Sequence, residues 1–283
     1  PMLAASGDGP YIISPDGTRY LDFFTGFGAT ILGHNDSGVR AAIERALDLG
    51  LVHGPETIYQ AELAGRLTEL VPCAELIRYA NSGSEATMVA IRAARAHTGR
   101  SKILKFEGHF HGLQELVLYS THPPARKPAP GQLLEPSIDS AGIPSAFAEF
   151  VVVAPWNDLA AVERAFATCD LAAVIMEPIN YNAGCLVPDR DYMLAVRDLA
   201  TRNSTVLIYD EVLSGFRTGV DCGQGYCSVT PNFALLGKAV ANGVPLAVIA
   251  GRREVMETLS PLGPTVHSGT YSERLFGVMA ALA

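Results

Sequence analysis

Apolar residues along this chain follow two rhythms: short continuous runs, and repeats of three to four residues. Between Ser37 and Leu49 they fall at Val39, Ile43, Ala46 and Leu47, which is one face of a helix. A second helix is expected over Ile58–Leu70, with Leu63, Leu67 and Leu70 near-periodic. Ahead of them, residues 11–24 read as a hairpin turned at Pro15-Asp16-Gly17 between two β-rich runs. Beyond residue 70, short apolar runs alternate with helical stretches. Strands are predicted at Leu76–Ala80, Lys102–Phe106, 116–119, 150–154, 172–176, 206–210 and 245–250. Helices are predicted from about Ser82 to His97, over Leu159–Thr168 and over 189–202. Residues 121–146, rich in Pro, Gly and Ser, read as a long loop. Strands alternating with helices predict an α/β fold, a mostly parallel sheet flanked by helices on both faces.

Composition narrows the function classes. The 283 residues are 48% hydrophobic and 18% charged, with 27 Gly and 18 Pro, and they carry a formal net charge of −8. That length can bury a large core. No Lys/Arg block stands out, so nucleic acid is not an expected partner. No apolar run reaches ~18 residues, so no membrane span is expected. The five cysteines (Cys73, Cys169, Cys185, Cys222 and Cys227) are odd in number and show no CxxC, which reads as free thiols in a reducing, cytoplasmic setting. The first residues, PMLAASGDGPY, do not resemble a signal peptide. Both ends are abrupt: Pro1 replaces an initiating Met, and LFGVMAALA stops inside a helix-like pattern. A fragment of a longer chain is therefore expected.

In α/β sheets, ligands collect beyond the carboxyl ends of the strands. Four such places hold suggestive groups. Ser82-Gly83-Ser84 stands at a strand-to-helix turn, where free N–H groups suit a phosphate, and Ser82 and Glu85 have capping-box spacing. An ordinary capped helix would read the same way. Asp210-Glu211 ends an apolar strand; a buried Asp there needs a cation, either a protonated pyridinium or an arginine such as Arg217, and a simple strand-end cap would read the same way. Lys238 is flanked by small and apolar residues that would lower its pKa and make it nucleophilic, although a lone lysine is commonly a solvated one. His109-Phe110-His111-Gly112 follows another strand. His-x-His hints at metal, but further ligands are not evident and no metal is expected, whereas an aromatic there can cover a flat ring. Gly26 to Gly33 is not a dinucleotide fingerprint, and GxxxxGK[ST], HExxH and GxSxG are lacking.

Taken in order, these pieces resemble the class III aminotransferases of PLP fold type I, and within them the glutamate-1-semialdehyde 2,1-aminomutase-like branch. The resemblance runs from Gly9 to about Thr270. It rests on Tyr20-Leu-Asp-Phe, Leu32-Gly-His34, Asn81-Ser-Gly-Ser-Glu-Ala86, Phe110-His-Gly112, Glu177-Pro178, Asp210-Glu-Val-Leu-Ser-Gly-Phe-Arg217, Leu236-Gly-Lys238, Asn242-Gly-Val-Pro245 and His267-Ser-Gly-Thr-Tyr271. It implies pyridoxal 5'-phosphate (PLP) as cofactor, Lys238 as the Schiff-base lysine, and Asp210 as the partner of the pyridine nitrogen. Val212 and Phe110 would cover the two ring faces, with His111 beside them. Ser82, Gly83 and Ser84 would hold the phosphate, Thr270 the phosphate of a neighbouring subunit. Asn182 and Glu177 would serve the corner of the 3-hydroxyl.

The resemblance further implies a small N-terminal segment, 1–50, on the small-domain side and a PLP-binding large domain, 51–283, with the C-terminal small domain missing. It implies a homodimer with shared active sites, and amino transfer between an amino acid or amine and an oxo acid. Aminomutase or epimerase chemistry is the alternative, and a non-catalytic relative acting as a structural partner is another. The chain departs from the pattern at Phe110, where many relatives carry Tyr, at Ser84 (commonly Thr), at Asn232 (commonly Asp), and after Thr270, where Asn-Pro is lacking.

Overall fold

The computed structural model describes residues 3–50, 56–122 and 128–283. The expected domain boundary near residue 51 and part of the 121–146 loop lie outside the described residues.

The predicted hairpin is present as β2 (Tyr11–Ile13) and β3 (Arg19–Leu21), preceded by a short β1 (Ser6–Asp8) that pairs with β2. Asp16 closes its turn by accepting the Thr18 N–H at 3.0 Å. A kinked turn, α1 (Thr25–Gly28), leads to α2 (Ser37–Leu49) and α3 (Ile58–Leu70), both as predicted. Asp36 caps α2 by accepting from Gly38 N and Val39 N, each at 3.0 Å.

The main sheet has seven strands: β4 (Leu76–Ala80), β5 (Lys102–Phe106), β6 (Val151–Ala154), β7 (Leu171–Met176), β8 (Val206–Glu211), β9 (Phe233–Leu236) and β10 (Ala247–Gly251). Their order is β4-β10-β9-β8-β7-β5-β6, and only β10 runs against its neighbours. Helices α4 (Gly83–Thr98), α5 (Leu159–Thr168), α6 (Arg190–Arg202), α7 (Cys222–Cys227), α8 (Arg253–Met256) and α9 (Leu275–Leu282) complete the fold. Strands buried on both faces need apolar residues at successive positions. In β8, Val206 and Ile208 join the core under α4, while Leu207 and Tyr209 join the core under α5 and α6. By the same alternation Asp210 continues the α4 side and Glu211 the other.

Two expectations fail. Residues 116–119 are not a strand: only Tyr119 makes an isolated bridge, to Ile138. Both edges of β5, the strand just before it in sequence, are already taken by β6 and β7, so the run cannot pair with β5. Phe150 belongs to a 3-10 turn, Ser145–Phe150, and the strand begins at Val151. Strand β9 was not anticipated. Its sequence, Phe-Ala-Leu-Leu, is the short apolar run expected of a central strand.

Candidate active site

Strands β4, β5, β7, β8 and β9 run parallel, so their carboxyl ends share one edge of the sheet. The predicted residues other than Thr270 lie at those strand ends or on the segments that follow them.

Helix α4 starts directly after β4. Ser82 caps it, accepting from Glu85 N at 3.2 Å. The Glu85 carboxylate reaches back to Asn81 N at 2.8 Å rather than to Ser82, so only half of the expected capping box forms. The N–H groups of Gly83 and Ser84 find no acceptor among the described residues. They lie at the positive end of a 16-residue helix, an arrangement that binds anions. A Cβ on Gly83 would stand 2.8 Å from Val212 Cγ2, so the backbone there must be bare. Ser84 Oγ accepts from Leu113 N at 3.1 Å, tying the cap to the segment after His111.

Asp210 is 5% exposed. Its Oδ1 accepts from Val212 N at 3.1 Å, and its Oδ2 lies 2.8 Å from His111 Nδ1. His111 is fully enclosed, and burial lowers its pKa against the pull of Asp210. A neutral ring donating from Nδ1 fits both facts. His111 thus stands behind Asp210 and bears on a cofactor through that carboxylate. Arg217, the competing partner, donates instead to the Gly28 carbonyl at 2.5 Å. Among the described residues no arginine or lysine pairs with Asp210.

Lys238 follows β9 with a left-handed backbone, φ 46°, at the start of a 3-10 turn. Gly243 N donates to its carbonyl at 3.1 Å. Burial lowers its pKa, opposed by the charges of Asp210 and Glu177 and assisted by Arg217. Val212 is wedged between the two groups: it touches Gly83 on one side and Gly237, next to Lys238, on the other. Asn242, in the same turn, accepts from Leu32 N at 3.0 Å and donates to Gly33 O at 3.2 Å, which anchors the N-terminal segment here.

Glu177, after β7, is 5% exposed and accepts from Phe110 N at 3.0 Å and Tyr181 N at 3.1 Å. Burial, then the nearby Asp210, push its carboxyl up to about 8. Phe110 leaves 41% of its surface open. Asn182 donates both amide hydrogens, to Gly108 O at 2.9 Å and Thr121 O at 2.8 Å, which leaves only its carbonyl for a ligand. His109 Nδ1 accepts from Glu177 N at 2.9 Å, so both imidazoles of the His-x-His have protein partners. Thr270 lies on an exposed stretch and makes no hydrogen bond to the other predicted residues. Gly269 beside it approaches Asn81. Sequence reasoning missed Lys105, buried under this edge. Its signal was a charge at an inward position of an apolar strand.

These residues fit PLP: free helix N–H groups for a phosphate, a buried carboxylate with no arginine or lysine in ion-pair contact, and a desolvated amine, gathered around one valine.

The class III aminotransferase family model ("Aminotransferase class-III") matches residues 1–283. The chain is 38% identical over 285 residues to a glutamate-1-semialdehyde 2,1-aminomutase 2 of Lachnoclostridium phytofermentans, covering 100% of this chain and 65% of that one. An omega-transaminase from Sphaerobacter thermophilus superposes with a TM-score of 0.95 at 35% identity, covering 100% of this chain and 65% of its own. A transaminase solved with PLP bound superposes with a TM-score of 0.90 at 29% identity, covering 100% and 66%. The chain thus spans slightly under two thirds of the length of these relatives. Its fold is that of the PLP-dependent transaminases and aminomutases, and it belongs to the class III aminotransferase family.

Proposed function

We propose that the protein is a PLP-dependent aminotransferase that moves an amino group between an amino acid or amine and an oxo acid. One observation carries this reading: Asp210 is buried with no arginine or lysine in ion-pair contact, near a desolvated Lys238 and an open helix N-terminus. Lys238 would carry the cofactor on Nζ, Gly83 and Ser84 N–H would hold its phosphate, and Asp210 would hold its protonated ring nitrogen. Val212 and Phe110 would enclose the ring, and Glu177 with Asn182 would line the far corner. Bound there, PLP supplies an electron sink that lets a bond at the amine-bearing carbon ionise.

The chain's own residues do the rest. Asp210, fixed on both oxygens, presents its carboxylate where the ring nitrogen would sit. Lys238, its proton loosened by burial, can take a proton from the amine-bearing carbon of the substrate and hold it for return on the far side of the nitrogen. Phe110 and Val212 exclude water from the ring faces.

An aminomutase is the second reading, favoured by the curated relatives of that name. It uses the same residues and differs in whether the intermediate is retained. A homodimer with shared sites is also proposed. Phe23, Phe27, Val266 and Tyr271 are 90%, 71%, 66% and 68% exposed, and apolar side chains left open in this way are suited to burial against a second subunit. Five unpaired cysteines support a cytoplasmic setting, and no described helix is long and apolar enough to cross a membrane.

The test is a half-reaction. PLP-loaded protein is mixed with an α-amino acid, a β-amino acid and an ω-amine, and pyridoxamine phosphate is followed by absorbance. At least one donor should convert the cofactor, and Lys238→Ala should abolish both conversion and the borohydride-stable label. A protein that takes up no PLP would sink the reading.

A further inference from the structure

Lys105 lies on β5 with no solvent exposure. Strand alternation puts it on the side of Ile103, the face under α4 that also carries Asp210. Among the described residues no carboxylate stands within ion-pair distance of its Nζ. Its hydrogens go elsewhere. They are donated to the carbonyls of Phe106 and His109, each at 3.3 Å, and closely to that of Tyr119. An ammonium has three donors and no acceptor, so the set is complete. Lysine is almost never fully buried without such partners.

The positions of those carbonyls give the lysine its meaning. Phe106 ends β5, and His109 opens the run that carries Phe110 and His111. Tyr119 lies on the returning arm, next to Ser120, whose carbonyl accepts from Gly108 N at 2.8 Å. Asn182 clamps the same two arms through Gly108 and Thr121. The segment so held presents the Phe110 N–H to Glu177 and His111 to Asp210. Both carboxylates of the site are therefore aimed by a turn whose floor is one ammonium.

We propose that Lys105 is a positioning residue for the cofactor site: by gathering the carbonyls of Phe106, His109 and Tyr119, it fixes the turn that holds His111 on Asp210 and Phe110 N–H on Glu177. The proposal rests on reading Asp210 as the partner of the ring cation. The titratable groups around Lys105 are Asp139, Glu177, His109 and His111. Asp139 and Glu177 favour the ammonium, while burial lowers it to about 8. The ammonium in turn disfavours protonation of His109 and His111.

The test compares the full chain with Lys105→Met, which removes every donor, and Lys105→Gln, which keeps two. The hydrogen-bonded Nδ1 proton of His111 is read by NMR in PLP-free protein, and PLP affinity is read by titration. Lys105→Met should displace or erase the His111 resonance and weaken PLP binding about tenfold, the usual scale for losing an outer support of a bound group. Lys105→Gln should fall between the two. Both variants melting lower while keeping the His111 resonance and the PLP affinity would overturn the proposal, because the lysine would then serve only the fold. If Lys105→Met does not fold, Lys105→Gln makes the same comparison; if neither folds, the proposal is overturned. Failure of the unmodified protein to take up PLP would sink the functional reading alone, since the His111 resonance still decides the role of Lys105.

Discussion

At the scale of single residues, Val212 decides how tightly the site can close. Its methyls face Gly83 at one end and Gly237 at the other, so it sets the spacing between the helix N-terminus and the lysine turn. Gly83→Ala tests this. Inside a helix, alanine is favoured over glycine by up to ~1 kcal/mol. Here the new Cβ would lie 2.8 Å from Val212 Cγ2 and 3.1 Å from Cγ1, and overpacking of that kind costs about 1–3 kcal/mol. The clash outweighs the propensity, so Gly83→Ala should destabilise the protein in urea and weaken PLP uptake. In a Val212→Ala background the same substitution should become neutral or stabilising. A double-mutant cycle measures the difference, and additive effects would contradict the proposed contact.

At the scale of elements, α4 links fold to site most directly. Its cap is one serine hydroxyl, and its first N–H groups face the edge where the strands end. Ser82→Ala should lower apo stability by about 1 kcal/mol in urea unfolding, the ordinary worth of a cap. An unchanged midpoint would mean that the Glu85–Asn81 bond alone holds the turn. Much of this layer was legible in the chain. The helices at Ser37–Leu49, Ile58–Leu70 and Leu159–Thr168 follow from periodicity, and the α4 start follows from Ser82 and Glu85. The strand expected at 116–119 failed because a β-rich run does not say which strands flank its neighbour: β5 is paired on both sides by β6 and β7. Asp210, Lys238 and Glu177 could be expected at strand ends, but the order of those strands is set by non-local pairing. The His111–Asp210 bond joins residues 99 positions apart, and no local pattern encodes it. Lys105 was readable as an inward charge in Lys-Ile-Leu-Lys-Phe, yet its three carbonyl partners belong to a turn that only the fold assembles.

At the scale of the whole molecule, one sheet edge concentrates buried ionisable groups, and their titration should appear in global stability. Burial raises Glu177 from 4.5 to about 8 and Glu211 from 4.5 to about 7. Between those limits the folded state binds more protons than the unfolded chain, so stability falls as pH rises. His109, His111 and His267 are lowered from 6.5, so their contribution rises with pH through 6.5, a rise that fades about one pH unit above it. Lys105, lowered from 10.5 to about 8, adds stability only above pH 8. Between about pH 7 and 8 the two glutamates outweigh the fading histidine contribution, and the apo melting temperature should fall across that interval. Glu177→Gln should flatten that slope whatever it does to the absolute midpoint. A melting temperature that stays level or rises across the interval would mean that both carboxyls are already ionised. The slope also reports on the site. Part of the rise in Glu177 comes from the charge of Asp210. A cation seated on Asp210 cancels that repulsion, so saturating PLP should shrink the fall, and inorganic phosphate alone should not.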